Sequence, residues 1–413
     1  MTYVIVGGGV AGLVTARRLA LGGASVTVLE ASDRFGGIVA SHTVGGIILD
    51  AGAESFATRG STVESLATEL GLGPDIVTPL AAPAWLQRVA GPAVPLPATS
   101  VLGIPAVPLA ADVIAVVGLR AALRAQLDLV LPAPFGLNSL TLGDLVRRRM
   151  GSGMLEGIVT PVVRGVHSAH PYELEVDRVA PFIRSAMRSE GSLAHGVRLL
   201  RANAPAGSAI AGIRGGVHRI VIELLADLER LGVTLELGAR VSSVVPGSAR
   251  VGRRTVRGDV IVATAGLLEP NERRPLTLAT LVVDAPQLDA APRGTGVLVV
   301  DGAPGVTARA LTHSTAKWPW LAERTDGRHV LRLSYDGSGP DDLADVARAD
   351  AATLLGIELA PSSVVDVARV EWSRPSPESP APEGITSVGE AAGGTGLAAV
   401  VAHAESTAAR LLS

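Results

Sequence analysis

The stretch YVIVGGGVAGLVTARRLALGGASVTVLEAS, residues 3–32, decides the fold of this 413-residue chain. Residues 3–6 are rich in strand-forming side chains, and residues 13–21 are mostly good helix formers. Gly22 and Gly23 end the helix before a second apolar run. A strand, a glycine turn, a helix and a strand in this order predict a βαβ unit, and therefore an α/β fold with a parallel sheet.

The glycines of the first turn have the spacing of a dinucleotide-binding loop. Gly7, Gly9 and Gly12 form GxGxxG between strand and helix, and Glu30 ends the next strand 18 residues later. Gly7 permits a tight turn, Gly9 lets the backbone approach a pyrophosphate, and Gly12 lets the helix pack closely on the strand. The helix N-terminus stabilises the phosphate charge. Because Glu30 is expected to bind a ribose and disfavours a 2′-phosphate, we expect FAD or NAD rather than NADP.

Further glycine-rich segments extend this site. ASDRFGGIVAS, residues 31–41, places Arg34 and the pair Gly36-Gly37 just after the acidic strand end. A second glycine turn at that point favours FAD over NAD. Three more segments follow in chain order: ARVSSV with Val241, DVIVATA at residues 259–265, and SVGEAAGGTG at residues 387–396.

Together these segments resemble the GG-doublet flavoproteins of the amine oxidase and protoporphyrinogen oxidase superfamily. The resemblance implies that Val241 meets the adenine through its backbone, and that the helix after the last glycine turn faces the flavin through its N-terminus. It implies an FAD site formed by Gly7, Gly9, Gly12, Glu30, Arg34, Gly36, Gly37, Val241, Gly389, Glu390 and Gly396.

Segments in the middle of the chain resemble one branch of this superfamily more specifically. SLTLGDLVRRRMGSGMLEGIVTPVVRGVHSAHPYEL (residues 139–174), IRGGVHRIVIELL (residues 213–225) and THSTAKWPW (residues 312–320) resemble protoporphyrinogen and coproporphyrinogen oxidases, especially the bacterial coproporphyrinogen-type branch. The resemblance covers essentially the whole chain. It implies an oxygen-dependent, FAD-mediated oxidation of coproporphyrinogen III or protoporphyrinogen IX in haem biosynthesis. A tetrapyrrole and molecular oxygen are then the expected partners, together with another enzyme of the haem pathway.

Two departures from that family keep alternatives open. The last glycine motif continues as GTGLAAVV (residues 394–401), without the family's Pro-Asp-Cys, and the family's conserved pairs are missing between Trp372 and Ile385. The alternatives are a related FAD-dependent desaturase or amine oxidoreductase on another apolar substrate, and a catalytically weak flavin- or porphyrin-binding protein. Because no aromatic residue follows Trp372, an aromatic cage for an amine would be incomplete.

Arginines are the expected ligands of a tetrapyrrole's propionates, because a guanidinium binds a carboxylate through two parallel hydrogen bonds. The predicted substrate-binding residues are Arg59, Arg164 and Arg184, each of which could instead be structural. Arg59 ranks first because it follows the segment GAES (residues 52–55), which resembles a flavin-proximal segment. No catalytic acid or base is assigned, since flavin chemistry on a porphyrinogen needs little acid–base machinery.

Two other polar clusters receive ordinary structural interpretations. Arg147, Arg148 and Arg149 are expected to be a solvated helix C-terminus, where positive charge is favoured. His167 and His170 have no convergent third ligand, so we expect no metal site.

Composition excludes several classes of protein. The chain has no Cys, which rules out catalytic thiolates, thiolate-bound zinc and iron–sulfur clusters. A net charge of -3 makes nucleic acid an unexpected partner. Hydrophobic residues reach 47% and charged residues only 18%, so the chain is expected to form packed cores.

An apolar stretch raises the question of a membrane. Between Arg88 and Arg120 only Asp112 is charged, but five prolines fall within residues 92–108 and oppose a spanning helix. We therefore expect a loop followed by a helix, with peripheral contact to a membrane as the alternative. Because the first strand begins at Tyr3, no signal peptide is expected, and the predicted location is the cytoplasm.

Periodicity and motif order predict the elements and the domains. Helices are expected over residues 66–72, 140–150, 217–231 and 398–412, and strands over residues 234–237, 241–245, 259–263, 296–300 and 330–334. A proline-rich stretch, residues 373–383, is expected to be a stiff connector. The predicted fold is α/β with α+β elements: a Rossmann-like GG-doublet FAD-binding domain (1–80, 206–268 and 366–413), a helical substrate- or membrane-facing domain (81–205) and an inserted mixed-sheet substrate domain (269–365).

Overall fold

The computed structural model describes residues 1–58, 60–167, 169–202, 210–264, 267, 274–374 and 384–413. It is a mixed α/β structure with several sheets. Its tertiary contacts divide the chain into two units. The first unit comprises Met1–Pro79, Ala209–Leu276 and Val370–Ser413, and the second comprises Leu80–Ser208 and Thr277–Arg369.

The strands and helices are numbered along the chain. The described strands are β1 (Thr2–Val6), β2 (Ser25–Leu29), β3 (Ser41–Val44), β4 (Ile47–Asp50), β5 (Phe56–Ala57), β6 (Ile76–Val77), β7 (Trp85–Gln87), β8 (Val94–Pro95), β9 (Ser100–Val101), β10 (Ile104–Pro105), β11 (Ile210–Ile213), β12 (Thr234–Glu236), β13 (Val241–Val245), β14 (Ser248–Val251), β15 (Arg254–Arg257), β16 (Asp259–Val262), β17 (Arg274–Val283), β18 (Gly296–Val299), β19 (Ala310–His313), β20 (His329–Asp336), β21 (Val364–Arg374) and β22 (Thr386–Ser387).

The described α-helices are α1 (Val10–Leu21), α2 (Thr62–Glu69), α3 (Ala111–Gln126), α4 (Leu142–Met150), α5 (Ser152–Met154), α6 (Thr160–His167), α7 (Val176–Val179), α8 (Ile183–Glu190), α9 (Leu193–Ala202), α10 (Arg219–Arg230), α11 (Ser314–Lys317), α12 (Pro319–Ala322), α13 (Leu343–Leu355), α14 (Glu390–Gly393) and α15 (Leu397–Leu412). A π-helical turn, Leu155–Val159, connects α5 to α6.

The first unit is built on a parallel sheet with the strand order β12-β2-β1-β16-β22. Alternate residues of β1 enter two different cores. Tyr3 and Ile5 pack with α1, α10 and α15, whereas Val4 and Val6 pack with the β13-β14-β15 meander. Because both faces are covered, residues 3–6 of β1 are all buried, as expected for a central parallel strand.

The second unit contains a mixed sheet and a group of helices. The strand order is β21-β17-β20-β19-β18-β7-β8, with β7 parallel to β18 and the β18-β19-β20 segment antiparallel. One face of this sheet packs on α13. A separate core joins the helices from α3 to α9. The predicted helical region and residues 277–365 of the predicted mixed-sheet region fall within this unit, and their separation into two domains stays a prediction.

Several predicted elements are confirmed. The strand over residues 241–245 has the predicted bounds, and the helices over residues 217–231 and 398–412 correspond to α10 and α15. The helix predicted over residues 66–72 runs instead over Thr62–Glu69. Its first turn carries little apolar periodicity, so the sequence pattern did not show where it begins. The predicted connector falls largely outside the described residues.

The apolar stretch forms short strands, β8, β9 and β10, followed by α3, which agrees with the expected loop and helix. Gly118 interrupts α3 with a φ of 80°. Among the helices of the described ranges, none combines the length and the apolar character needed to cross a membrane.

The expectation of a fully solvated arginine cluster at the end of α4 is wrong for one of its members. The side chain of Arg149 is completely buried, and its guanidinium forms an ion pair with the equally buried carboxylate of Asp128. Arg149 Nη2 also donates to the Asp128 carbonyl oxygen at 2.8 Å. Arg147 and Arg148 are exposed, as expected. The last turn of α4 therefore has one inward-facing arginine, paired with a residue from a different part of the chain.

Candidate functional site

The first glycine turn connects β1 to α1 at the carboxyl end of the parallel sheet. Gly7 has a φ of 110°, which favours glycine, and its N–H donates to the Leu29 carbonyl oxygen at 2.8 Å. A Cβ placed on Gly12 would lie 2.0 Å from the Gly7 carbonyl oxygen. The first turn of α1 thus packs directly on the loop, and only glycine fits at position 12.

Gly9 differs from the other glycines of this loop. A Cβ placed on Gly9 meets no described atom within 4 Å, whereas one placed on Gly8 would lie 2.4 Å from the Phe35 ring. Gly9 is also the N-cap residue of α1, and no side chain of the described residues caps this helix. The N–H groups of the first turn are therefore available to an anion, and there is room for it beside Gly9.

Glu30 lies between β2 and the second glycine turn. Its carboxylate accepts hydrogen bonds from the Gly8 N–H at 2.7 Å and from the Ser32 N–H and hydroxyl, each at 2.8 Å. The side chain therefore holds the glycine loop in place. It is half-buried, so its oxygens retain capacity to accept a further hydrogen bond.

The second glycine turn lies against the first. The Gly36 N–H donates to the Gly8 carbonyl oxygen at 2.8 Å, and Gly9 and Gly36 form a parallel bridge. Gly36 and Gly37 have φ values of 105° and 62°, and Arg34 Nη1 closes the turn by donating to the Gly37 carbonyl oxygen at 2.8 Å. The two glycine motifs predicted to hold one cofactor are therefore in direct contact.

The distant site residues fall in the same unit. The segment before Val241 joins the acidic strand end, because the Ala239 N–H donates to the Glu30 carbonyl oxygen at 2.8 Å. Gly389 packs against α1: its Cβ, if present, would lie 3.2 Å from that of Ala11. The second glycine turn and Gly389 thus contact the first glycine turn and α1, and the segment before Val241 joins them through Glu30.

The N-terminus of α15, also in the first unit, resembles that of α1 because each begins at a glycine N-cap. Gly396 is the N-cap residue of α15 with a φ of 92°, and no described side chain caps the helix. A Cβ placed on Gly396 meets no described atom within 4 Å. Glu390 begins the short helix α14 that precedes this turn. The first unit therefore has two long helices, α1 and α15, that begin at an open glycine.

The two predicted substrate arginines that the structure describes, Arg164 and Arg184, bind different partners. Arg164 extends from α6 and forms ion pairs with Asp301 and Asp336. Arg184 extends from α8 and donates to Asp177 Oδ1 at 2.7 Å and to two backbone carbonyl oxygens. Both guanidinium groups thus bind partners within the second unit. Arg59 lies outside the described residues.

Sequence reasoning missed residues that shape this site without forming part of the glycine motifs. Phe35 fills the space left by the missing side chain of Gly8. Asp50 and His218 form a buried pair beside the second glycine turn. Asp50 and His218 are 168 positions apart in the sequence, so no local signal indicates that they meet.

These residues fit FAD. The open space beside Gly9 and the uncapped N-terminus of α1 suit a pyrophosphate, and Glu30 suits a ribose. The N-terminus of α15 also lacks a side-chain cap, so its N–H groups suit a second polar group of the same ligand.

Comparisons with known proteins agree with this interpretation. The family described as "Flavin containing amine oxidoreductase" matches residues 10–268. A coproporphyrinogen III oxidase of Propionibacterium freudenreichii subsp. freudenreichii is 27% identical over 416 residues, covering 86% of this chain and 77% of that protein. A coproporphyrinogen III oxidase of Mycobacterium bovis is 29% identical over 410 residues, covering 91% of this chain and 87% of that protein.

Solved structures share the fold. A protein of Exiguobacterium sp. 255-15, described as a candidate protoporphyrinogen oxidase, superposes with a TM-score of 0.83 at 23% identity and covers 100% of this chain and 98% of its own. The family match extends over more than half of the chain and includes the first turn of α1, the second glycine turn and β13. The chain therefore belongs to the flavin-containing amine oxidoreductase family, and it is an oxidase whose cofactor is FAD.

Proposed function

We propose that this protein is an oxygen-dependent oxidase that converts coproporphyrinogen III to coproporphyrin III in haem biosynthesis, with protoporphyrinogen IX as the runner-up substrate. The observation that carries the proposal is the similarity to coproporphyrinogen III oxidases over 91% of this chain. The similarity extends through both units and is not confined to the cofactor site. It therefore bears on the substrate as well as on the flavin.

We assign FAD to the first unit. The N-terminus of α1 and the open side of Gly9 support the pyrophosphate assignment, and Glu30 supports the ribose. The N-terminus of α15 is assigned to the flavin end of the cofactor. The following residues would hold FAD: Gly7, Gly9, Gly12, Glu30, Arg34, Gly36, Gly37, Val241, Gly389, Glu390 and Gly396.

The chemistry asks little of the protein beyond binding and orientation. When bound, FAD supplies two-electron oxidation of the substrate with oxygen as the final electron acceptor. Each substrate oxidation removes a hydride from a methylene bridge and a proton from a pyrrole nitrogen. The chain's own tasks are to hold the two glycine turns around the cofactor, to present an apolar surface to the macrocycle and to bind its propionates.

Arg59 is our proposed ligand for a propionate. Arg164 and Arg184 rank lower because their guanidinium groups already bind carboxylates or carbonyl oxygens of the second unit. Arg59→Ala should leave the FAD content unchanged and weaken kcat/KM by about 1.5 to 3 kcal/mol, the size of a lost charge-assisted hydrogen bond. Arg59→Lys should recover only part of this loss, because an ammonium lacks the planar fork.

Esterified substrate is the control for this prediction. Blocking the propionates should slow the wild type far more than Arg59→Ala. Equal sensitivity of the two proteins to esterification would show that Arg59 does not bind a propionate carboxylate.

Two other activities remain to be separated from the proposed one. A desaturase or amine oxidoreductase would consume oxygen with another apolar substrate, and a weak flavin- or porphyrin-binding protein would bind the tetrapyrrole without oxidising it. The altered turn at residues 394–401 keeps the second alternative open.

A fluorescence assay distinguishes these activities. Holoprotein is mixed in air with coproporphyrinogen III, with protoporphyrinogen IX or with a diamine, and both porphyrin fluorescence and peroxide are followed. The proposal predicts porphyrin and peroxide from the porphyrinogens, fastest from coproporphyrinogen III, and none from the diamine. Binding without fluorescence would support the carrier, and peroxide from the diamine alone would support an amine oxidase.

A further inference from the structure

A buried acid–histidine pair lies in the first unit, next to the second glycine turn but outside the glycine motifs themselves. Asp50 ends β4, and its Oδ1 lies 2.8 Å from His218 Nδ1. The same carboxylate accepts hydrogen bonds from the Val217 and His218 N–H groups, both at 2.9 Å. Both side chains are less than a tenth exposed. One carboxylate thus receives three donors in a dry environment, where each charge-assisted hydrogen bond is strong.

The pair fixes the start of α10. Val217 and His218 immediately precede the helix, so a carboxylate bound to their N–H groups caps its N-terminus and opposes its positive end. Gly216 has a φ of 113°, and a Cβ there would lie 2.4 Å from His218 Nδ1. The glycine pair before the helix therefore makes room for the imidazole.

Both sides of the pair reach the second glycine turn. On the α10 side, Val221 lies in the first turn of the helix, and its Cγ1 would be 3.1 Å from a Cβ on Gly36. On the β4 side, Gly52 packs so closely on the Ile38 carbonyl that a Cβ would lie 1.9 Å from its oxygen. The turn at residues 36–38 is therefore held between two segments that Asp50 and His218 join.

The second glycine turn in turn supports the first. The Gly36 N–H donates to the Gly8 carbonyl oxygen at 2.8 Å, and Gly36 bridges to Gly9, the residue with open space at the N-terminus of α1. A shift of α10 relative to β4 would be transmitted through Val221 to this bridge. Packed interiors transmit such displacements because they leave no room for local adjustment.

We propose that Asp50 and His218 are positioning residues for FAD: they lock α10 to β4 and thereby hold the second glycine turn in the geometry that binds the pyrophosphate. The proposal rests on the assignment of FAD to the first unit. Neither residue belongs to the glycine motifs, and their effect on the cofactor is indirect. Loss of the pair is therefore expected to weaken FAD binding in protein that remains folded.

A purely structural role is the competing explanation, and the chain offers a matched control. Asp227 also lies on α10 and accepts a hydrogen bond from Arg17 Nε of α1 at 2.5 Å. Both side chains of this pair are largely buried. It joins the same helix to α1 near the opposite end, away from the glycine turns. Asp227→Asn should therefore lower stability without affecting the cofactor site.

The test compares Asp50→Asn with Asp227→Asn. Each apoprotein is titrated with FAD by fluorescence, and its free energy of unfolding is measured by denaturant. Both variants should be less stable than the wild type, but only Asp50→Asn should raise the Kd for FAD, by about tenfold or more, which corresponds to about 1.4 kcal/mol. Equal Kd values for the two variants would overturn the proposal. A wild type that binds no FAD would instead contradict the proposed function.

A second variant pair tests the route through α10. If the pair acts through Val221, Asp50→Asn should raise the Kd by a smaller factor in a Val221→Ala background than in the wild type. Should Asp50→Asn not accumulate as folded protein, His218→Leu keeps the carboxylate and its two backbone donors. It should still raise the Kd by about threefold relative to Asp227→Asn. An unchanged Kd in His218→Leu would count against the proposal.

Discussion

Gly9 and Gly12 belong to the same loop, but a side chain would meet different surroundings at the two positions. At Gly12 a side chain would collide with the Gly7 carbonyl oxygen, so glycine is needed for folding. At Gly9 a methyl group would enter open space, and the backbone there is extended with a φ of −72°. The described residues therefore give no steric reason for glycine at position 9, and the reason we propose is the bound pyrophosphate.

Alanine substitutions separate these two reasons. Gly9→Ala should fold with a free energy of unfolding within about 0.5 kcal/mol of the wild-type apoprotein, because the new methyl group meets no described atom. It should nevertheless bind FAD at least about tenfold more weakly. Gly12→Ala should lose several kcal/mol of stability through overpacking against backbone. Denaturant unfolding of both apoproteins, followed by FAD titration, measures this; wild-type FAD affinity in Gly9→Ala would contradict the pyrophosphate assignment.

At the residue scale, local motifs were predictable and long-range pairs were not. The glycine spacing and Glu30 are encoded within one βαβ unit, so their chemistry can be read from neighbouring residues. Asp50 and His218 are 168 positions apart, and Arg149 pairs with a residue 21 positions earlier. No periodicity connects such partners. For Arg149, the helix-end rule predicted exposure, whereas tertiary packing determined burial.

At the scale of elements, α4 shows how one inward-facing arginine contributes to the free energy of unfolding. Arg149 and Asp128 are both completely buried, so removing one partner leaves an uncompensated charge. Arg149→Met should lower the free energy of unfolding by about 3 to 5 kcal/mol. Arg148→Met, on the exposed side of the same turn, should change it by less than about 0.5 kcal/mol. Similar stability of the two variants in urea would contradict the buried pair.

A histidine at the end of β19 makes the second unit sensitive to acid. Burial, and to a smaller extent the neighbouring His329, lowers the pKa of His313 to about 4. His313 Nε2 lies 3.0 Å from His329 Nδ1, and His329 Nε2 lies 3.1 Å from the Asp289 carboxylate. An unfolded histidine titrates near pH 6.5, so the unfolded state binds the proton more readily. The stabilisation is complete above about pH 6.5 and is lost as the pH falls towards 4.

Acidification should lower the free energy of unfolding by about 3 kcal/mol through His313, because its pKa is about 4 in the folded protein and about 6.5 in the unfolded chain. Urea unfolding of the wild type and of His313→Gln at about pH 7.5 and about pH 4.5 measures it. The wild type should lose more stability on acidification than the variant, which lacks the titrating group. Identical pH dependence in the two proteins would show that His313 does not titrate in this window.

At the scale of the whole molecule, the order of motifs was more informative than any single motif. The segments assigned to the cofactor site come from both ends and the middle of the chain, and the structure gathers them in one unit. Their order along the sequence therefore predicted a discontinuous FAD-binding region. The partners of Arg164 and Arg184 were not predictable, because they depend on tertiary packing and no fixed sequence spacing connects these arginines to their partners.

The central claim is that a porphyrinogen reduces the FAD of this protein. The most direct measurement mixes oxidised holoprotein with coproporphyrinogen III in the absence of oxygen and follows the visible absorbance of the flavin. We predict that the yellow absorbance bleaches, and that admitting air restores it while porphyrin fluorescence appears. A flavin that stays oxidised in excess porphyrinogen, in protein shown to contain FAD, would contradict the account.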